Sequence, residues 1–536
     1  MTRALKTPIS WLVSRRTDIL ILVALTLLGA GLRSTGITHG IGFHPDERHM
    51  AQVTEKLGVQ HMNPKSFAYG SFSFYAAWGF AHVIAFFSGL IESVSRAISP
   101  NHAVSFGSCH TFTYDCVFIS GRIFCTVVGA LAIPLSWYLA VLLYRRSSVG
   151  LVAAALLSLN VFHLQLSRFF TSDITLTTLC LISLIALVRA YQQGTLRSYL
   201  IFGFCAGLAT ATKISSAFLF VPLFFVVFLS TIKEWGRLSS SEKPLACLSL
   251  VSGALLLAAA ADYLLFLKGW PRIYKQRLHP LPTFIPMVVP FLAVAAYRMQ
   301  RYSASLAKLT AAVALGIAVF VLAEPYAIID FETFTRHTKE QTAMVQGAWR
   351  PPYTIQYAHT VPYFYHLKQM LWYTMGWPVF VAGLFGVLLA SLRCVLEFFD
   401  KLFKRELRTS PFSPEIIPLI FMAVFFLATA RFQVKFPRYL LPLYPLFFIF
   451  AASVIAPKGK RPALAEGDNE LSPEAMPEAT PVASMHSEST TVEPAPPATE
   501  ALAAETPEIP GDEMKPADAE AAAVEDESAV KPEPAL

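Results

Sequence analysis

Asp46 and Glu47 form a carboxylate pair in the stretch Gly42-Phe43-His44-Pro45-Asp46-Glu47, directly after the first apolar run of the chain. Where a membrane-type sequence has few acids, a pair at the mouth of a span is suited to take a proton from a hydroxyl or to hold a cation at the membrane surface. The plain alternative is a solvated loop carrying ordinary acids. Four further stretches hold charge at span ends: Ser167-Arg168-Phe169-Phe170-Thr171-Ser172-Asp173, Lys213, Glu324 to Asp330, and Arg431 to Tyr439. Carboxylates in some and cations in others could together hold an acceptor, a metal or a phosphate.

Each of these residues has a simpler reading too. Asp173 suits the first turn of a helix beside the positive dipole end, with Thr171 or Ser172 as its cap. Lys213, between two apolar runs, could snorkel to the interface, but its reach also suits a lipid phosphate. Arg438, followed by Tyr439 in Lys435-Phe436-Pro437-Arg438-Tyr439, brings a planar guanidinium flanked by aromatics to the membrane border. That arrangement suits clamping a phosphate whose tail enters lipid, or interfacial anchoring.

The elements that must position these residues are membrane spans. With 54% hydrophobic and 15% charged residues among 536, the chain is too apolar for a soluble globule and reads as an all-α polytopic membrane protein. Net charge +7 joins two opposed parts: residues 461–536 hold 18 of the 36 acids and only three of the 43 Lys and Arg. Bases scattered between spans fit cytoplasmic loops on anionic lipid and a site for a phosphate-bearing ligand better than nucleic-acid binding.

Residues 1–16 are basic, placing the N-terminus in the cytoplasm, and the run from Ile19 to Gly31 reads as an uncleaved first helix. A long outer loop, residues 34–116, follows. Its apolar segment from Ser71 to Leu90 could cross the membrane or lie along it. Crossing would move Arg145, Arg146 and most later basic clusters outside, so the positive-inside rule assigns it as interfacial or re-entrant.

Apolar runs near 117–144, 149–166, 174–190, 198–212, 214–232, 244–266, 284–298, 305–323, 367–392, 415–430 and 439–456 bring the total to about twelve spans, roughly 11 to 13. One loop, with Lys268, Arg272, Lys275 and Arg277, falls outside against the rule. The membrane domain thus covers 17–456. Residues 457–536, rich in Ala, Pro and Glu, cannot bury a core and read as a disordered acidic cytoplasmic tail.

Cys109 and Cys116 flank a polar segment and could pair as a disulfide in an oxidising compartment, or join His110 and Asp115 in a poorly spaced zinc site. The other five cysteines read as small core residues. No internal repeat, phosphate-binding loop or dinucleotide fingerprint is present, which argues against ATP- or NAD-driven chemistry.

The ordered motifs resemble a known group. His44-Pro45-Asp46-Glu47, Ser167-Arg168-Phe169-Phe170 with Asp173, Gly207-Leu208-Ala209 leading to Lys213, Glu324-Pro325-Tyr326-Ala327 with Asp330, and Arg438-Tyr439-x-x-Pro442 are similar to motifs of the integral-membrane glycosyltransferases of the C superfold. The likeness is to the dolichyl-phosphate-mannose protein mannosyltransferase family, family 39, and its bacterial relatives. The segment from Pro352-Tyr353-Thr354 to Gly376-Trp377-Pro378 also resembles bacterial members.

The resemblance implies transfer of a sugar, mannose or another hexose or pentose, from a polyprenyl-phosphate donor to a hydroxyl on the non-cytoplasmic face of the cell (inner) membrane, with inversion. Asp46 would be the base with Glu47 beside it. Lys213, Arg438 and Tyr439 would bind the donor phosphate, and Asp173 with Arg168 would meet the donor sugar or supply a second acid. Asp46, Glu47, Asp173 and His44 could ligate a divalent metal ion, since metal use varies across the superfold. Only about forty residues, Pro325–Tyr365, stand where eukaryotic members carry a large folded domain. The acceptor is accordingly a lipid-linked glycan, a lipid or, with less support, a protein. The rival class is a multi-span transporter or flippase for an anionic or lipid-linked substrate, with Asp262 as its midspan acid. Oligomeric state has no sequence signal.

Overall fold

The computed structural model describes residues 16–98 apart from 41 and 43, residue 109, and residues 111–234, 240, 304–404 and 412–457. The chain divides into two units, Met1–Leu464 and Ala465–Leu536. The acidic tail, the runs 244–266 and 284–298, the loop with Lys268 to Arg277, Asp262 and His110 all lie outside the described residues. Backbone polar groups in hydrocarbon must find partners within their own segment, and every regular element among the described residues is helical.

The first helix, α1 (Arg16–Ser34), is followed by α2 (Pro45–Lys56) and α3 (Ser71–Ile98). Next come α4 (Tyr114–Tyr144), α5 (Ser147–Leu159), α6 (Val161–Ser167), α7 (Ser172–Gln193) and α8 (Leu196–Thr212). A 3₁₀ turn, Ile214–Leu219, leads to α9 (Phe220–Glu234); α10 (Ala304–Ala323), α11 (Tyr326–Ile329) and α12 (Phe331–Gln346) resume after the undescribed stretch. The chain continues through α13 (Phe364–Gln369), α14 (Trp377–Phe403), α15 (Ile416–Thr429) and α16 (Tyr444–Ile455). Six described helical segments are long and apolar enough to cross a membrane, seven if the bent α5–α6 pair counts as one span, and four shorter apolar helices accompany them. This is the make-up of an integral membrane protein.

Three spans differ from their sequence boundaries for local reasons. The run 149–166 is bent by 60° between α5 and α6. At the break Asn160 caps α6 by accepting from the His163 N–H at 2.9 Å and donates to the Thr374 carbonyl at 2.7 Å. The run 367–392 holds α13 and a π turn, Met370–Thr374, and its long helix starts only at Trp377. Gly376 at φ 80° turns the chain there, and Pro378 near the helix start needs no N–H partner. The segment from Ser71, assigned above as interfacial or re-entrant, is an unbroken helix of 28 residues, so it does not double back. Its exposed Val83, Phe86, Phe87, Leu90, Ile91, Val94 and Ile98 recur along one stripe while Ser88 and Glu92 are buried, as befits a helix with one face in lipid.

Arg33, fully buried near the end of α1, joins that helix to the α5–α6 break. It donates to the carbonyls of Gly29 (2.9 Å) and Leu157 (3.1 Å) and lies 2.9 Å from His163 Nδ1. The central core runs along α4, α5, α7, α8, α15 and α16, and α7 contributes the buried Ile174, Leu176, Leu181, Leu184 and Leu187. Burial on nearly every side of α7 makes it a rigid post, and Asp173 stands at its top.

Candidate active site

Asp46 and Glu47 occupy the first turn of α2, whose dipole favours carboxylates there. Neighbouring helical residues point about 100° apart, and the two acids meet different partners. Glu47 is fully buried against Arg122 of α4 in a two-point pair, with Nε to Oε1 and Nη2 to Oε2 both 2.8 Å. Its Oε1 also accepts the Phe170 N–H at 2.7 Å. The remaining Arg122 protons go to the carbonyls of Ile37 (2.7 Å), His39 (2.6 Å) and Gly40 (3.2 Å). Glu47, expected as a catalytic neighbour and metal ligand, is thus committed to fastening the first outer loop onto α4. Its sequence signal was Arg122, a lone base within the apolar run 117–144.

Asp46 faces a different set. Its Oδ2 lies 2.7 Å from Arg438 Nη2, and the Tyr69 phenol is close enough to feel its charge. Arg438 Nε is 3.6 Å from Asp173 Oδ2, and Lys213 Nζ is 3.0 Å from Asp173 Oδ1. Asp46, Arg438, Asp173 and Lys213 therefore form a chain of alternating charge, drawn from α2, the 3₁₀ turn Pro437–Leu443, α7 and the end of α8. Asp173 is 3% exposed, whereas Asp46, Arg438 and Lys213 are 21, 17 and 24% exposed, so the buried acid forms the floor and the other three can meet a ligand.

Local structure explains the convergence. Thr171 is the N-cap of α7 but makes no side-chain cap hydrogen bond, so Asp173 meets the helix N-terminus without the capping hydroxyl expected from sequence. Lys213 is extended, φ −161° and ψ 124°, between α8 and the following 3₁₀ turn, which projects it from the helix end. Its ammonium sits 4.4 Å from the Tyr439 ring centre, and the Arg438 guanidinium sits 4.3 Å from that of Phe436. Tyr439 thus offers its ring face to a cation.

Arg168 is not part of this set. It donates to the Leu32 carbonyl (2.6 Å) and Thr35 Oγ1 (2.5 Å), tying the ends of α1 and α6 together. His44 packs its ring 4.8 Å from that of Phe169. Among the described residues no group of three or more His, Cys, Asp or Glu could hold a metal ion. Arg438 stands between Asp46 and Asp173, and Glu47 faces Arg122. The set Asp46, Glu47, Asp173 and His44, as placed, therefore does not fit a metal.

Cys109 and Cys116 are neighbours in space and both buried, and the Cys116 thiol meets the Cys109 carbonyl at 3.8 Å. The expected disulfide is not formed, and in that contact the Cys116 sulfur faces a carbonyl oxygen.

Further residues enclosing Asp46 had no sequence signal. His49, one turn along α2, bonds Ser66 Oγ at 2.9 Å, and His337 Nδ1 accepts the Phe67 N–H at 3.3 Å. Burial lowers the His49 imidazole below its usual range against the pull of Asp46, favouring the neutral ring. Burial together with Asp46 and Asp173 holds the Tyr69 phenol well above 10, so it stays a proton donor. Glu324, buried just past α10, accepts from both the N–H and the hydroxyl of Ser71.

Burial pushes the Glu324 carboxyl from 4.5 up to about 7, partly opposed by the Ser71 hydrogen bonds. Between those values the folded chain binds more protons than the unfolded one, so this group's contribution to stability falls as pH rises from about 4.5 through about 7. Thermal unfolding in detergent from pH 5 to pH 8 is expected to show this decline in the wild type. Glu324→Gln should flatten it, and an unchanged slope in that variant would refute the assignment.

Residues 115–261 match the family model for dolichyl-phosphate-mannose-protein mannosyltransferases, which bears out the family resemblance over that stretch. Arg122, Arg168, Asp173 and Lys213 lie within it; Asp46 and Arg438 lie outside. No curated protein sequence matches the chain. Among solved structures it is similar to the apo Archaeoglobus fulgidus oligosaccharyltransferase, with TM-score 0.43 and 13% identity over 81% of this chain and 50% of that one. It is similar also to the archaeal oligosaccharyltransferase AglB from Archaeoglobus fulgidus in complex with an inhibitory peptide and a dolichol-phosphate, with TM-score 0.44, 14% identity, and coverage of 83% and 50%. ArnT from Cupriavidus metallidurans bound to undecaprenyl phosphate gives TM-score 0.38 and 14% identity over 81% of this chain and 59% of that one. The chain spans about half the length of the oligosaccharyltransferase chains it matches.

Proposed function

We propose that this chain, similar over residues 115–261 to the dolichyl-phosphate-mannose-protein mannosyltransferases, is a membrane glycosyltransferase that moves a sugar from a polyprenyl-phosphate donor to a hydroxyl acceptor with inversion. The observation that carries this reading is the charge chain Asp46–Arg438–Asp173–Lys213, which unites a partly exposed base with two cations beside a membrane span. The donor phosphate takes Arg438 and Lys213, displacing Asp46 from the guanidinium. Asp173, buried beneath both cations, keeps them in place.

The freed Asp46 accepts the proton of the acceptor hydroxyl as that oxygen bonds to the anomeric carbon. The bond from that carbon to the phosphate oxygen breaks on the opposite side, and its electron pair leaves with the polyprenyl phosphate. Arg438 and Lys213 stabilise the charge that develops there. Tyr439 seats Lys213. The positive-inside pattern supports placing the site on the exterior face of the cell membrane with both termini in the cytoplasm.

Lys213→Met is expected to weaken the donor by about ten- to a hundredfold in KM, the worth of a charge-assisted hydrogen bond. Assays of free polyprenyl phosphate released alongside glycosylated product test this reading directly. Release in proportion to product supports the transferase. Substrate crossing the bilayer with no release would favour the transporter instead.

A further inference from the structure

Glu324, Tyr326 and Asp330 follow α10 directly, and the charge chain leaves all three unused. Each of them grips the same strap of the first outer loop. Glu324 takes the Ser71 N–H on one carboxylate oxygen, at 2.5 Å, and the Ser71 hydroxyl on the other. The Tyr326 hydroxyl donates to the His61 carbonyl, and Asp330 Oδ2 accepts from Asn63 Nδ2 at 3.1 Å. Between these points the Phe67 N–H reaches His337 Nδ1 at 3.3 Å. Residues 61–71 are thus bonded along their length to residues 324–337.

The strap meets the root of Lys213. The Gly70 N–H donates to the Thr212 carbonyl at 3.1 Å, at the end of α8, where carbonyls have no partner within the helix. A Cβ on Gly70 would come within 1.9 Å of the Ala211 carbonyl oxygen and 2.8 Å of the Thr212 carbonyl carbon. This is a backbone approach only glycine permits. Immediately beyond that contact Lys213 leaves α8 in an extended conformation, with its ammonium 3.0 Å from Asp173 Oδ1 and 4.4 Å from the Tyr439 ring centre.

Resting on the glycosyltransferase reading, we propose that Glu324 is the positioning residue of the donor-phosphate cation: by pinning Ser71 it sets Gly70 against the end of α8 and so fixes where Lys213 departs from the helix. A lysine carries a compact charge on a flexible four-carbon stem, and the place its ammonium can reach is defined by its backbone root. That root is held from outside α8, through the bonds that run from Glu324 to Ser71 and from Gly70 to Thr212. Both oxygens of Glu324 are engaged by Ser71, so its influence on the ammonium passes through the strap.

Titration of the full chain in detergent with polyprenyl phosphate tests the role. Glu324→Ala and Gly70→Ala are each expected to weaken binding by about tenfold, a share of what the Lys213 hydrogen bond supplies. Lys213→Met removes the group being positioned, so adding either substitution to it should cost no more than about twofold further. A role confined to holding the fold would cost the same with and without Lys213. Ser71→Ala, the mildest change, deletes the hydroxyl and keeps the N–H bond; it should weaken binding by about threefold, and only where Lys213 is present.

Wild-type affinity in Glu324→Ala overturns the positioning role, as does a loss in Glu324→Ala or Ser71→Ala that is equal in the two backgrounds. A wild type that binds no polyprenyl phosphate overturns the phosphate role of Lys213 and this proposal with it. A wild type that binds it but releases none from polyprenyl-phosphate mannose, glucose or a pentose overturns the transferase reading for those sugars, while the comparison of backgrounds still decides whether Glu324 positions Lys213.

Discussion

Asp46→Asn is expected to lower kcat by about 10²- to 10⁴-fold, the range a positioned general base supplies, while polyprenyl phosphate binds at least as tightly as to the wild type. The second half follows from the ion pair. Without donor, Arg438 is held 2.7 Å from the Asp46 carboxylate, and the incoming phosphate must compete with it. An amide still accepts one hydrogen bond from the guanidinium but carries no charge, so the competition weakens. Loss of turnover together with unchanged or tighter binding separates a base from a mere phosphate ligand, whose loss would raise donor KM. Release of free polyprenyl phosphate measures the first quantity and titration with polyprenyl phosphate the second. Wild-type turnover in the Asn variant would remove Asp46 from the role of base.

Arg122→Met should destabilise the protein by about 3–5 kcal/mol, the cost of leaving a buried partner charge uncompensated. Glu47 is fully buried, both of its oxygens take Arg122 protons, and the same guanidinium holds three carbonyls of the loop from Ile37 to Gly40. The substitution therefore strands one carboxylate and three acceptors together. Glu47→Gln, which keeps an acceptor for Arg122 and for the Phe170 N–H, should cost less. Arg122→Met combined with Glu47→Leu should recover part of the loss, because no buried charge is then left alone. Thermal unfolding in detergent reads all three. An Arg122→Met protein as stable as wild type would show that the pair does not hold the loop.

These two experiments separate adjacent residues that look equivalent in sequence. A pair of acids after an apolar run announces chemistry or a salt bridge but not which acid does which. Helix geometry sends one side chain toward Arg438 and the other into the core beside Arg122. Arg168 illustrates the same point. It stands five residues before Asp173, but it caps the end of α6 while Asp173 opens α7, and the guanidinium turns back to α1.

The sequence by itself determined what depends on composition and short-range pattern: the helical membrane architecture, the family resemblance, and the placement of Asp46, Asp173, Lys213 and Arg438 at the ends of apolar runs. Burial of apolar runs and placement of charge at their ends are local properties, readable from order alone. Tertiary structure decided the pairings. That Glu47 serves Arg122, that Arg33 and Arg168 fasten helices and that Glu324 anchors Ser71 all rest on contacts between segments up to 253 residues apart. Such contacts arise from how helices pack and where their ends turn, through breaks such as Asn160 and Gly376 and the close approach at Gly70, and no periodicity along the chain encodes them.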